Sequence, residues 1–319
     1  MSRFPMRPAL FIQRGLTLVE LMIAMTLGLI VVGGVLGILV ANSETQRRTD
    51  ELSRIQENAR VAMQLMGRSM REAGGNPCGI PSGVGLILHM AGEAPTDDWW
   101  SGGNNFTSAL IGYVSGNNFP PIDRAVSSDA LITVSANTFV KTVISDNPPD
   151  GAMIIPTREG LAAGDILFAC GTNDGRGVVF RAGAVAEAGD NGSVDRTNPF
   201  GGEFAGMNVT ALGKINAEGW FVDNNGRGGT SLFRAFNGDN GNPEEIATDV
   251  SAMRITYLLP GENQYVTADQ ITNANWTRVI AAYIELDITS NTANPGNPDN
   301  PASLPITRTV GLTINLRNR

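Results

Sequence analysis

A chain of 319 residues, 42% hydrophobic and only 17% charged, is long and apolar enough to bury a sizeable core. Its formal net charge of −8 argues against nucleic acid as the main ligand, because phosphate binding relies on clustered Lys and Arg. Its 38 glycines, with Asn-Gly and Asp-Gly pairs recurring between Gly102 and Pro301, point to many short strands joined by turns rather than to an all-helical protein.

Arg3, Arg7 and Arg14 precede a run from Leu16 to Ala41 whose only charge is Glu20. As a helix this run would span ~39 Å, enough to cross a ~30 Å hydrocarbon core with tilt. It is too long for the apolar region of a secretory signal peptide, about 7–15 residues. The three arginines predict a cytoplasmic N-terminus, with everything after Ala41 on the far side of the membrane. Glu20 is the anomaly: a carboxylate near the bilayer centre costs at least ~2.5 kcal/mol, so it normally marks function or pairing, although hydropathy alone fits an ordinary uncleaved signal anchor with Glu20 tolerated near the membrane edge. Gly28, Gly33, Gly34 and Gly37 fall in the same run. Gly33 and Gly37, four apart, have the spacing that lets helices approach closely, although glycine is also common filler in transmembrane helices.

The order "RGLTLVELMIAM", Arg14 to Met25, resembles the type IV prepilin signal. That signal is a short basic leader ending in Gly, a hydrophobic first mature residue, and Glu five positions beyond the Gly. The resemblance implies cleavage by prepilin peptidase between Gly15 and Leu16 and N-methylation of Leu16. It also implies pairing of Glu20 with such an amine, on a neighbouring subunit or on its own chain. Leu16 departs from the usual Phe, a substitution found in minor members of the family.

From Asn42 to Ala73, Leu52, Ile55, Ala59, Ala62, Met66 and Met70 recur at spacings of three and four, the stripe of an amphipathic helix. Met63, Met66 and Met70 are expected to pack into the core rather than to bind a partner. Gly74-Gly75 and Pro77 should stop the helix. One helix from Leu16 to Ala73 would be roughly 87 Å long. The stretch "ELSRIQENARVAMQLMGRSMREAGG", followed by Cys78, and the ending "VGLTINLRNR" narrow the resemblance to the PilW family of minor pilins.

Beyond Asn76 the sequence predicts a β-rich domain. Val310, Leu312, Ile314 and Leu316 alternate with smaller or polar residues, as do Ile280, Ala282, Ile284, Leu286 and Ile288. Met253, Ile255 and Tyr257 mark a third strand; Leu131–Val134, Ile166–Ala169, Val178–Phe180 and Leu232–Phe236 mark others. Gly189–Thr197, Asp223–Gly229 and Asn237–Glu244 read as surface connections. The expected fold class is α+β and pilin-like, a long N-terminal helix packed on an antiparallel β-rich globular domain. Its parts would be a leader (1–15), a membrane or filament-core half-helix (16–41), an amphipathic half (42–75) and an exported domain (76–319). Cys78 and Cys170 would lie where disulfides persist, and a bridge between them is favoured over two free buried thiols.

No arrangement for catalysis or metal binding stands out. His89 is the single histidine, with no nucleophile-elbow motif nearby and no Cys/His cluster for zinc. "GRGG" at Gly226–Gly229 reads as a turn rather than a phosphate cradle, and Glu244-Glu245 as loop-solvating acids. The Asn/Asp turns at Asp223 and Asn237 lack the distal Glu of a twelve-residue calcium loop. A non-enzymatic protein without cofactor or metal is therefore expected. The resemblance implies a minor pilin that primes type IV pilus polymerisation and sits at or near the tip. Its partners would be prepilin peptidase, other minor pilins, the major pilin, a PilY-type tip adhesin and the inner-membrane assembly platform. A GspJ-like minor pseudopilin of type II secretion and a tip adhesin are the alternatives.

Overall fold

The computed structural model describes residues 17–79, 86–87, 108–117, 119–120, 122, 127–146, 151–171, 177–197, 200, 206–237, 241–290 and 305–317. The chain divides into two compact units, Met1–Leu52 and Ser53–Arg319. One helix, α1 (Leu18–Glu72), contributes to both. Thirteen strands follow among the described residues: β1 (Leu86–Ile87), β2 (Leu110–Tyr113), β3 (Ala130–Thr142), β4 (Met153–Ile155), β5 (Ile166–Gly171), β6 (Gly177–Ala188) and β7 (Asn191–Arg196), then β8 (Val209–Asn224), β9 (Thr230–Phe236), β10 (Glu244–Thr248), β11 (Val250–Leu258), β12 (Ala281–Thr289) and β13 (Thr307–Asn315). Two 3-10 turns, Ala268–Gln270 and Asn273–Arg278, lie between β11 and β12.

In the larger unit, the helical segment from Ser53 to Glu72 is rich in good helix formers and buries one stripe. Ile55, Ala59, Ala62, Met66 and Met70 are all buried, and Met63 packs at the edge of the same cluster. The opposite face carries the ion pairs Arg60–Glu57 (3.0 Å) and Arg68–Glu72 (2.9 Å) at helical spacing. The helix stops where Gly74 takes a left-handed φ of +74°.

The stripe meets two sheets. The smaller is the antiparallel order β11-β12-β13, with Met253, Ile255, Tyr257, Ala282, Ile284, Leu286 and Ile288 buried in the helix's cluster. Its other face is polar: Arg254 pairs with Glu285 at 3.2 Å and Asp287 at 2.6 Å. The larger sheet has ten strands, with the path β10-β9-β8-β5-β6-β7-β4; β3 and β2 extend it from β8, and β1 pairs with β6. β8 is the organising strand. β3 borders it from Ala211 to Trp220, while β5 takes Val209–Lys214 and β9 takes Glu218–Asn224. Its Trp220 and Val222 belong to the helix's cluster, Ile215, Ala217 and Phe221 to a second core, and Val209 and Leu212 to a third.

A buried polar contact sits inside the apolar packing. Ser69 Oγ on α1 lies 2.6 Å from Thr133 Oγ1 on β3 and accepts the Trp220 indole N–H at 3.1 Å from β8. Asn58 Nδ2 donates to the Thr248 carbonyl at 2.9 Å. Cys78 and Cys170 form a disulfide between the turn after α1 and β5.

The sequence-predicted α+β architecture is present, a long N-terminal helix with an antiparallel β-rich domain. Several expectations within it need correction. Gly189–Thr197 is not a loop: Gly189 and Asp190 make a turn and Asn191–Arg196 form β7, paired with both β6 and β4. Asp223 and Asn224 end β8, so the connection to β9 is only residues 225–229. Glu244 opens β10 rather than closing a loop, and Glu244 and Glu245 are ion-paired to Arg234 and Arg227. Ile280 lies one residue before β12 and is 39% exposed, out of phase with the buried face it was expected to join.

Candidate functional site

The segment set apart by its sequence is the start of α1. Thr17 stands immediately before Leu18, the first helical residue. Its carbonyl accepts the Leu21 N–H at 3.2 Å, and its hydroxyl accepts the Glu20 N–H at 3.3 Å. Thr17 is therefore the N-cap and Glu20 the third helical residue, the Thr-x-x-Glu spacing of a capping box. A carboxylate in the first turn also faces the positive end of the helix dipole. The sequence reading missed this capping role, although "TLVE" carries its signature.

After Glu20 the helix is apolar, with no charged residue until Glu44. Within Met1–Leu52 every large apolar side chain of this run is exposed, Leu29 at 72% and Val40 at 70% among them. None of its most apolar stretch is buried, and the helix is long and apolar enough, by length and composition, to cross a membrane. The hydroxyl within the run is satisfied inside the helix, Thr26 Oγ1 donating to the Ile23 carbonyl at 2.9 Å and the Met22 carbonyl at 3.1 Å. At Gly28, Gly33, Gly34 and Gly37 an added Cβ would meet nothing within 4 Å. Charge returns as helical pairs, Glu44–Arg48 at 3.3 Å and Arg47–Glu51 at 3.5 Å.

The face this helix offers is apolar, smooth at its glycines and marked by one carboxylate at its start. Such a face can enter lipid or pack against like helices. Among the described residues no three His, Cys, Asp or Glu side chains gather as a metal would require. The expected cleavage position, Gly15 and Leu16, lies outside the described residues, as does His89. Glu20, Gly33 and Gly37 lie along α1 in the unit Met1–Leu52, whereas the disulfide Cys78–Cys170 belongs to the other unit.

Residues 11–36 match the prokaryotic N-terminal methylation motif, which brackets Gly15, Leu16, Glu20 and the first glycines of the helix. No curated protein and no solved structure matches the chain significantly. The motif supports a type IV pilin-like protein, a structural rather than catalytic kind, with processing by prepilin peptidase and partners in pilus or secretion-filament assembly. The exposed apolar helix that carries it is consistent with membrane anchoring and incorporation into a filament.

Proposed function

We propose that this chain is a minor pilin of the PilW kind. Residues 1–15 are a leader removed by cleavage after Gly15, and the new amino terminus at Leu16 is methylated. Residues 16–41 hold the protein in the inner membrane, with the N-terminus cytoplasmic and the domain from residue 76 onward periplasmic. The protein then joins other minor pilins and the major pilin to prime polymerisation at the pilus tip. One observation carries this: the methylation motif runs into a helix whose apolar side chains from Leu18 to Val40 are exposed and whose first-turn carboxylate, Glu20, is the one charge among them.

The physical role of Glu20 follows from its setting. Alone in hydrocarbon, an ionised carboxylate and a cationic amino terminus are each costly; paired and hydrogen-bonded, both are tolerated. A neighbouring subunit's methylated amine fits a carboxylate at the start of the helix. The open surface at Gly33 and Gly37 lets helices draw close once they meet.

The test is Glu20→Gln, which keeps size and hydrogen bonding but removes the charge. Cells carrying it should process and retain the protein in the membrane while losing it from sheared pili, with fewer pili by electron microscopy. A variant recovered in pili at the wild-type level would overturn the pairing role.

A further inference from the structure

Just after α1 ends at Glu72, the five residues Gly74–Cys78 are held in three independent ways. In the backbone, Gly74 N–H donates to the Val134 carbonyl at 2.8 Å, and Ala136 N–H donates to the Gly75 carbonyl at 2.7 Å. These bonds continue the pairing of β3 beyond Thr133, where β2 stops. Through a side chain, Asn76 Nδ2 donates to the Gly74 carbonyl at 3.2 Å, and Asn76 Oδ1 accepts the Cys78 N–H at 3.1 Å. Covalently, Cys78 is joined to Cys170 on β5. Two glycines permit so close an approach. A Cβ on Gly75 would overlap the Asn137 side chain; one on Gly213 would overlap the Ala136 carbonyl oxygen and press on Pro77 Cδ at 3.2 Å.

The topology gives this seam a consequence. Cys78 and Cys170 are 92 positions apart, and β1, β2, β3 and β4 lie in the closed segment between them. β3 is also the strand that holds the helix, through Thr133 against Ser69 and through its bonds to Gly74 and Gly75. Tension entering along α1 reaches Cys78, crosses the disulfide to Cys170 and continues into β5. The strand on which the helix is seated lies outside this covalent path, so it cannot be drawn out in line while the bridge is intact.

We propose that Gly74–Cys78, with Cys170, is a load-bearing joint that shields β1–β4 from being drawn out by tension applied through α1. It rests on the pilin reading only for the origin of that tension, since a subunit built into a filament by its helix is pulled along that helix. A defect in the joint and a defect in processing after Gly15 are separable, because the mechanical test needs neither peptidase nor pilus.

The experiment is single-molecule stretching of the full-length chain in detergent, tethered by tags at its two ends, before and after reductant is added to the folded tether. An extended residue spans at most ~3.3–3.6 Å, so the oxidised chain should stop about 30 nm short of the reduced one. Reduction should also lower the force at which the helix leaves the sheet. The Cys78→Ser/Cys170→Ser variant should behave as the reduced chain; if it fails to fold, reduction of the folded tether supplies the same comparison. Equal final lengths, or the same detachment force with and without the bridge, would overturn the proposal.

Discussion

Removing one oxygen atom from the middle of the helix–sheet contact should cost more than its size suggests. Ser69, Thr133 and Trp220 are 8%, 3% and 0% exposed, so water cannot replace a lost partner. In Ser69→Ala the Thr133 hydroxyl can rotate toward another acceptor, but the indole N–H of Trp220 cannot. One full penalty for a buried unsatisfied donor is therefore expected, ~1–3 kcal/mol. Trp220→Phe in the same background removes the orphaned donor. The double variant should thus be destabilised less than the sum of the single ones, with a coupling of ~1 kcal/mol or more. Urea denaturation of the detergent-solubilised full-length protein, followed by circular dichroism, measures all four corners of the cycle. A Ser69→Ala loss below ~0.5 kcal/mol, or an additive cycle, would refute the view that this contact anchors the helix.

The polar face of the small sheet should weaken in acid. The hydrogen bonds from the Arg254 guanidinium, then from the Thr309 hydroxyl, hold the Asp287 carboxyl below the usual aspartate range. A depressed carboxyl pKa gives stability that is present above the unfolded value, ~3.9, and is lost as pH falls through the folded one. The stability gap between wild type and Asp287→Asn should therefore narrow from pH 6 to pH 3; a constant gap contradicts the assignment. At the seam, Gly213→Ala drives a methyl into the backbone oxygen of Ala136, and overpacking of this kind costs ~1–3 kcal/mol. Ala substituted at Gly226, whose added Cβ has open space but whose φ is +70°, would test strain without crowding. The Gly213 variant should lose helix docking, read as new protease cleavage between Glu72 and Cys78, and the Gly226 variant should not.

The helix and the small sheet were legible because each keeps a strict period. The stripe Ile55–Met70 repeats every three or four residues, and Ala282–Ile288 every second one, each with one face on a single core. β8 was not legible, although it organises the larger sheet. It feeds three cores in succession, so its burial changes phase along its length: alternation holds from Gly213 to Gly219 but fails at Leu212–Gly213 and across Gly219–Val222, where consecutive residues are buried. β7 was hidden likewise, because "NGSVDR" buries Gly192, Val194 and Arg196. Arg196 is admitted there because Asp146 pairs with it and the Gly151 carbonyl accepts from it. A buried charge with its partner fifty positions away leaves no local signal. At the candidate site, the spacing of Gly15 and Glu20 carried the reading; the Thr-x-x-Glu spacing that begins at Thr17 was equally local, and the Glu20 N–H bond to the Thr17 hydroxyl identifies it as a cap.

The most direct measurement is the intact mass and N-terminal sequence of the protein extracted from membranes of cells that possess prepilin peptidase, beside cells that lack it. A chain beginning at methylated Leu16 in the first and at Met1 in the second is the expected result. An unprocessed chain beginning at Met1 in both would contradict the pilin reading, leaving Glu20 as a capping residue of a plain membrane anchor.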